Sequence, residues 1–124
     1  MSYINKSPLD IQLDLDKLPH KIAEASDKCR EAMIKHEEAK LITKREWAKA
    51  YILHSSEDKI TVKEIEARIL NEKDYQKAQN NEIIACGEYE ACKIALERVQ
   101  NEYISTRKIV NLKELEYQIS GAHD

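Results

Sequence analysis

The chain has 124 residues, of which 35% are charged and only 6% are aromatic, and it contains two glycines, two prolines and no phenylalanine. This length suffices for one domain. The shortage of aromatic and turn-forming residues is typical of long helices rather than of a compact mixed fold. The formal net charge of −3 excludes a uniformly basic nucleic-acid wrapper, although local clusters can still bind phosphate.

The sequence predicts a soluble, cytoplasmic protein that does not enter a membrane. No apolar run approaches the roughly 18 residues needed to cross a bilayer, and the first ten residues do not resemble a secretion signal. Cys29, Cys86 and Cys92 form no C-x-x-C pair, so we expect reduced thiols rather than a disulfide.

Residues 1–17 differ in pattern from the rest of the chain. Ile11, Leu13 and Leu15 alternate with polar residues, which is typical of an extended segment. The segment is too short to form a sheet, so we predict an N-terminal arm that docks elsewhere or reaches a neighbouring subunit.

A first long helix is predicted over residues 18–55, within a helical hairpin domain at 18–120. Asp16 is its expected N-cap, and Pro19 is tolerated in a first turn. A second apolar row on another face (Ile34, Leu41, Ala48 and Ile52) suggests a further partner. The main apolar stripe, with steps of three and four, is Ile22, Ala25, Cys29, Ala32 or Met33, His36, Ala39, Thr43, Trp47, Ala50 and His54.

A short helix is predicted after a polar break at 55–59. Thr61 and Glu64 have the spacing of a capping box, which opens a helix over about 62–70. Asn71 is expected to end this helix and to cap the next one, with Asp74 complementing the positive N-terminal end of that next helix.

The C-terminal third carries a seven-residue ladder that predicts a second long helix, over about 72–119. Residues with this spacing form the seam of a helix that packs along another helix. Gly87 lies inside it at a cost of about 1 kcal/mol relative to Ala, and Gly121 marks its end. The ladder is Tyr75, Glu82, Tyr89, Leu96, Tyr103, Val110 and Tyr117, and a second ladder offset by three is Ala78, Ala85, Cys92, Val99, Thr106 and Lys113.

These elements together predict an all-α fold, a long antiparallel helical hairpin with a short connecting helix and an extended N-terminal arm. Beyond Thr106 the apolar face rotates, which indicates contact with a new partner. An isolated hairpin this thin is marginal, so we predict a homo-oligomer. Its expected interface is the row Ile104, Ile109, Leu112, Leu115 and Ile119.

Several residues have two interpretations. The tyrosines could stack on single-stranded bases, but their strict spacing favours the seam, with hydroxyl partners such as Glu82 or a histidine of the facing helix. Glu82 is interpreted as a register-setting or ion-paired residue of the seam. His36-Glu37 begins an H-E-x-x-H pattern that Lys40 breaks, and His36 with Cys29 is a weak candidate for a metal site. We therefore predict no metal and no cofactor.

The sequence offers no nucleophile–base pair, no glycine-rich phosphate loop and no distinctive carboxylate pair. A hairpin of this kind has no cleft for chemistry. We therefore predict a protein without catalytic activity.

Two basic clusters are the candidate nucleic-acid site. One interpretation is an ordinary solvated helix face. The functional interpretation is contact with phosphate, which would be strengthened when an oligomer repeats the clusters. One cluster is Lys40, Lys44, Arg45 and Lys49, and the other is Arg107 and Lys108 with Lys113 nearby, in a stretch free of acids from Tyr103.

Three segments that together span most of the chain carry a family likeness: 18–21 leading to 48–51, then 61–75, and 103–119 with its Arg-Lys pair. On these segments the sequence resembles the UvsY family of phage recombination mediator proteins. The resemblance implies a ring-forming protein that binds single-stranded DNA and helps a RecA-like recombinase to replace single-strand-binding protein. It also implies DNA contacts at Lys44, Arg45 and Lys49, and places Arg107 and Lys108 near the oligomer contact.

The preferred hypothesis is thus a non-catalytic, homo-oligomeric recombination mediator in the cytoplasm of a bacterial host. The alternative is a phage-encoded adaptor or inhibitor that binds a protein and has no DNA affinity. A third hypothesis is a purely structural coiled-coil subunit that assembles but binds neither.

Overall fold

The computed structural model describes residues 7–121, and within them it contains three α-helices and no strand: α1 (Pro8–Ser55), α2 (Val62–Leu70) and α3 (Lys73–Gly121). The two long helices, α1 and α3, pack against each other as a helical hairpin, with α2 in the connection between them. The predicted all-α hairpin with a short connecting helix is therefore confirmed.

The predicted N-terminal arm is wrong over residues 8–17, because these residues are the first turns of α1. The Ser7 hydroxyl caps the helix: it accepts from the backbone N–H of Asp10 at 3.2 Å and donates to the Asp10 carboxylate at 2.9 Å. Ser7 and Asp10 have the spacing of a capping signature, and proline at position 8 is compatible with the first helical position. Residues 1–6 of the predicted arm lie outside the described residues.

The apolar pattern of this segment fits a helix as well as a strand. Ile11, Leu15 and Leu18 are spaced by four and three residues, so they share one helical face. Ile11 is fully buried and Leu18 is 2% exposed. Burial of this shared face favours the helical period over the two-residue period of a strand.

Asp16 and Pro19 consequently lie inside α1 and not at its start. The carboxylate of Asp16 accepts from the Gln12 amide at 3.0 Å and caps nothing. An internal proline costs a helix about 3 kcal/mol. Burying Ile11 and Leu18 stabilises by about 1.5–3 kcal/mol each, which is enough to offset that cost.

The connection between the long helices follows the predicted turn chemistry at both ends of α2. The Thr61 hydroxyl accepts from the backbone N–H of Glu64 at 3.2 Å and caps α2. At the other end, Asn71 is the C-cap. Its backbone N–H donates to the Arg68 carbonyl at 3.1 Å, and the backbone N–H of Glu72 donates to the Ile69 carbonyl at 2.9 Å.

The prediction that Asn71 also caps α3 is wrong, because α3 begins at Lys73 and the Asn71 side-chain amide donates back to the Ala67 carbonyl at 3.2 Å. Asp74 lies in the first turn of α3, as predicted.

The described chain divides into two compact units, and the first is Cys29–Cys92. Its core is a cluster of Ala50, Ile65, Ile69 and Tyr75, so α2 is held by two isoleucines spaced four residues apart. Trp47 meets Tyr75 edge-on, with ring centroids 5.5 Å apart and an angle of 65° between the planes. The partly buried Trp47, Tyr51 and Ile60 surround this cluster.

The second unit combines the part of α1 up to Lys28 with the part of α3 from Lys93 onward. Besides Ile11 and Leu18, its buried side chains are Thr106 and Val110, which are 1% and 4% exposed. Two members of the predicted seam therefore form the α3 side of this core. The remaining ladder residues from Leu96 to Tyr103 are half-buried.

Candidate nucleic-acid interface

The basic cluster of α1 lies in the unit Cys29–Cys92 and divides into two pairs. Lys40 and Lys49 are next to acids on their own helix: the Lys40 ammonium is 3.2 Å from Glu37, and the Lys49 ammonium is 3.6 Å from Glu46. Carboxylates at these distances lower the local positive potential, although exposed pairs of this type are weak. Lys40 and Lys49 therefore offer less attraction to phosphate than their charges alone suggest.

Lys44 and Arg45 are the unpaired members of this cluster. Both are exposed, and neither makes an ion pair with any residue that the structure describes. Adjacent helical residues point about 100° apart, so the two cations cover neighbouring sectors of the α1 surface. This pair is the part of the cluster best suited to phosphate contact.

The surroundings of Lys49 are acidic. A shallow cavity of about 290 Å³ lies beside it, lined by Glu46, Glu72, Asp74 and Tyr75 as well as Ala50 and Leu53. Glu72 also binds the His54 ring at 2.7 Å. The sequence pattern missed this concavity because its carboxylates come from α1, the connection and α3.

Arg107 and Lys108 lie on α3 in the other compact unit. Both side chains are exposed and, like Lys44 and Arg45, form no ion pair within residues 7–121. Lys113, which continues the offset ladder, is half-buried. No acid lies between 103 and 113, so the charged residues that this stretch of α3 itself contributes are all basic.

The row predicted as an oligomer interface lies on the same stretch of α3. Ile104, Leu112, Leu115 and Ile119 are 51–60% exposed, and Ile109 is half-buried. Tyr117, which continues the ladder, is 76% exposed. Ile104, Leu112, Leu115 and Ile119 therefore form an apolar row that the unit itself does not cover.

Two further exposed apolar residues, which the sequence pattern did not indicate as a surface, lie on the first turns of α1 in the same compact unit. Leu9 is 69% exposed and lines a groove of about 380 Å³ with Ser7, Glu114, Tyr117 and Gln118. Leu13, 50% exposed, is the second. Reading residues 8–17 as a helix places both leucines off the buried face, so the capping signature at Ser7 was the signal that would have found them.

The second apolar row, on α1 in the unit Cys29–Cys92, is also exposed. Ile34, Leu41 and Ile52 have exposed fractions of 48%, 62% and 70%. A single apolar residue with this exposed fraction is common on protein surfaces, but a row of such residues suggests an interaction site.

In the buried part of the ladder, the tyrosines pack in the contact between α1 and α3. Tyr75 is 8% exposed, and its hydroxyl accepts from the Gln79 amide of its own helix at 3.0 Å rather than from the facing helix. The His36 ring lies 6.1 Å from the Tyr89 ring. Glu82 is half-buried, and its role in setting register stays a prediction.

Within the described residues, no group of three or more His, Cys, Asp or Glu side chains is arranged to hold a metal ion. In the same part of the chain, no helix has the length and apolar character to span a bilayer.

Comparison of the chain with protein families, curated proteins and solved structures finds no match to a family model, to a curated protein or to a solved structure.

Proposed function

We propose that this chain is a non-catalytic, self-associating helical hairpin that binds single-stranded DNA and acts as a recombination mediator. In this role it helps a RecA-like recombinase to replace single-strand-binding protein on DNA. The observation that carries the proposal is the combination, on the last part of α3, of unpaired Arg107 and Lys108 with an uncovered apolar row.

The apolar row supports self-association. Its exposed members are large aliphatic side chains, each of which gains about 1.5–3 kcal/mol when fully buried. A second copy of the chain offers the same row, and symmetric association of identical surfaces is the commonest way in which soluble proteins assemble.

Self-association in turn supports DNA binding by a protein of net charge −3. Each protomer contributes the candidate cations Lys44, Arg45, Arg107 and Lys108, and assembly repeats them. Helices that contact phosphate without reading bases bind largely independently of sequence. Affinity should then fall steeply with salt, with a slope of log K against log salt of about −0.7 for each phosphate neutralised.

Fluorescence anisotropy with labelled oligo-dT, over a series of salt concentrations, tests this proposal. The variant Lys44→Glu with Arg45→Glu should weaken binding at least tenfold and make the salt slope about 1.4 less negative, since two phosphate contacts are removed. The matched control is Lys17→Glu with Lys21→Glu, which changes net charge equally at two other exposed α1 positions and should have a much smaller effect.

Equal weakening by both variants would mean that overall charge, and not this site, governs binding. No binding by the wild type at low salt would refute the DNA-binding function. The mediator role itself requires a further measurement, in which the chain speeds filament formation by a RecA-like recombinase on DNA covered with single-strand-binding protein.

The acidic cavity favours one second candidate, a helical adaptor or inhibitor that binds a protein and not DNA. Glu46, Glu72 and Asp74 would present carboxylates to a basic partner surface. In that case the wild type captures one host protein, the variant Glu46→Gln with Asp74→Asn loses it, and neither binds oligo-dT.

A further inference from the structure

Two of the three cysteines lie at seam positions of the long helices, and both belong to the unit Cys29–Cys92. Cys29 is a member of the apolar stripe of α1, and Cys92 belongs to the offset ladder of α3. Both thiols are free and half-buried. Neither residue has a role in the proposed function.

The helix register brings these two positions together. The Thr43 hydroxyl is shared between the backbone carbonyl of Ala39 in its own helix, at 3.0 Å, and that of Ala78 in α3, at 3.3 Å. The second contact makes Thr43 and Ala78 one layer of the hairpin. In an antiparallel pair with seven-residue repeats, successive layers of this type move back by seven on one helix and forward by seven on the other. Two such steps lead from Thr43 to Cys29 and from Ala78 to Cys92.

The intermediate layer supports this register. One step from Thr43 and Ala78 gives His36 and Ala85. Tyr89 follows Ala85 by one helical turn, and its ring lies 6.1 Å from the His36 ring. The helices therefore keep the same alignment as they approach the layer of the cysteines.

We infer that Cys29 and Cys92 face each other across the seam and form an oxidisable thiol pair, which a small disulfide converts into an intramolecular cross-link between α1 and α3. Ala32, about one turn from Cys29, and Ala85, about two turns from Cys92, are buried, at 8% and 9% exposure. Side chains this small allow close approach of the helices, and a disulfide requires Cα atoms within about 7 Å.

Cys86 does not compete with Cys92 for the disulfide with Cys29. It precedes Cys92 by six residues, which is about 9 Å along the helix axis and a rotation of about 120° to another face. Oxidation should therefore be selective for Cys29 with Cys92.

The chemistry is thiol–disulfide exchange with a low-molecular-weight disulfide such as oxidised glutathione. One cysteine thiolate attacks a glutathione sulfur, which forms a mixed disulfide and releases one glutathione thiolate. The second cysteine thiolate then attacks the protein-bound sulfur and releases the second glutathione. The two protein thiols give up two protons and two electrons, and the oxidant is reduced to two thiols.

The test uses the full chain at low concentration, treated with oxidised glutathione and then alkylated and mapped by mass spectrometry. We expect a monomer that has lost two hydrogens, a Cys29–Cys92 peptide and one alkylated thiol at Cys86. The apparent melting temperature should rise by on the order of 10 °C, because the cross-link constrains a long loop of the unfolded chain.

Three variants make the outcome decisive. Cys92→Ser should lose the monomeric product and the rise in melting temperature, whereas the matched change Cys86→Ser should retain both. The third variant combines Cys29→Ser and Cys92→Ser with Thr43→Cys and Ala78→Cys. A new cross-link should form between positions 43 and 78, because that layer has the same geometry.

Glutathione adducts without a cross-link, bridges that involve Cys86, or cross-links only between chains would overturn the inference. A cross-link between Thr43→Cys and Ala78→Cys in the absence of a native one would show that the hairpin has this register but that Cys29 and Cys92 do not pair.

Discussion

Small side chains of one helix meet larger side chains of the other along the hairpin contact. The backbone carbonyl of Ala78 accepts a hydrogen bond from the Thr43 hydroxyl. Ala50 lies in one cluster with Tyr75 and two isoleucines of α2. Alanine has the highest helix propensity and leaves room for a tyrosine or histidine opposite. The alanines therefore stabilise the helices and also allow them to approach.

Gly87 has a low helix propensity, and no contact in the described part of the chain requires a glycine at this position. It lies inside α3, and a Cβ added there would meet no atom within 4 Å. Gly87→Ala should therefore stabilise the chain by about 0.5–1 kcal/mol, because alanine loses less backbone entropy in a helix.

Urea denaturation followed by circular dichroism measures this effect. The reverse change at an exposed position of the same helix, Ala91→Gly, should destabilise by a similar amount. A destabilising Gly87→Ala would mean that this face of α3 is covered in solution by another chain.

The first turns of α1 are stabilised both by a local cap and by tertiary packing. Ser7→Ala removes the acceptor for the Asp10 N–H, so it should destabilise by about 1 kcal/mol. Hydrogen exchange should show the loss as faster exchange in the first turns of α1. Ser7→Asp keeps a capping acceptor and should preserve protection. Equal protection in all three proteins would show that the cap contributes nothing.

The short helix α2 depends on tertiary packing, since nine residues are too few for a stable isolated helix. Ile69 is fully buried in the cluster with Ala50 and Tyr75. Ile69→Ala should cost about 2–5 kcal/mol in the free energy of unfolding. Ile52→Ala, at a site 70% exposed, should cost less than about 0.5 kcal/mol, and a similar loss for both would place Ile52 in a covered interface.

At the scale of the whole molecule, the exposed apolar row of α3 predicts an oligomer. Leu112→Glu with Leu115→Glu places charge in this row and should shift the mass measured by light scattering toward that of the 14.4 kDa chain. Helicity should be retained, because both residues are more than half exposed. The paired control, Ser105→Glu with Asn111→Glu, changes charge equally at exposed polar positions of the same stretch and should leave the mass unchanged.

A wild-type chain that is monomeric at micromolar concentration would contradict the predicted assembly. It would also weaken the proposed DNA binding, since a single copy contributes only one set of the candidate residues Lys44, Arg45, Arg107 and Lys108, in a chain of net charge −3.

Much of the fold was predictable because its signals are local. Thr61 and Asn71 bound α2 through side-chain and backbone hydrogen bonds to residues a few positions away. The ladder from Tyr75 to Val110 is likewise a periodic property of one helix. The candidate site was less predictable: Lys40 and Lys44 look equivalent in the sequence, and only the structure shows that a carboxylate accompanies the first.

The sequence by itself determined the helical class, the two breaks around α2 and the face along which α3 packs, because helix period and capping depend on residues within a few turns. The tertiary structure alone decided that residues 8–17 are helical, that Lys49 lies beside an acidic cavity, and that the apolar rows of α1 and α3 stay uncovered. Each of these depends on side chains distant in the sequence, since burial and electrostatic surroundings are set by the neighbours that folding brings close.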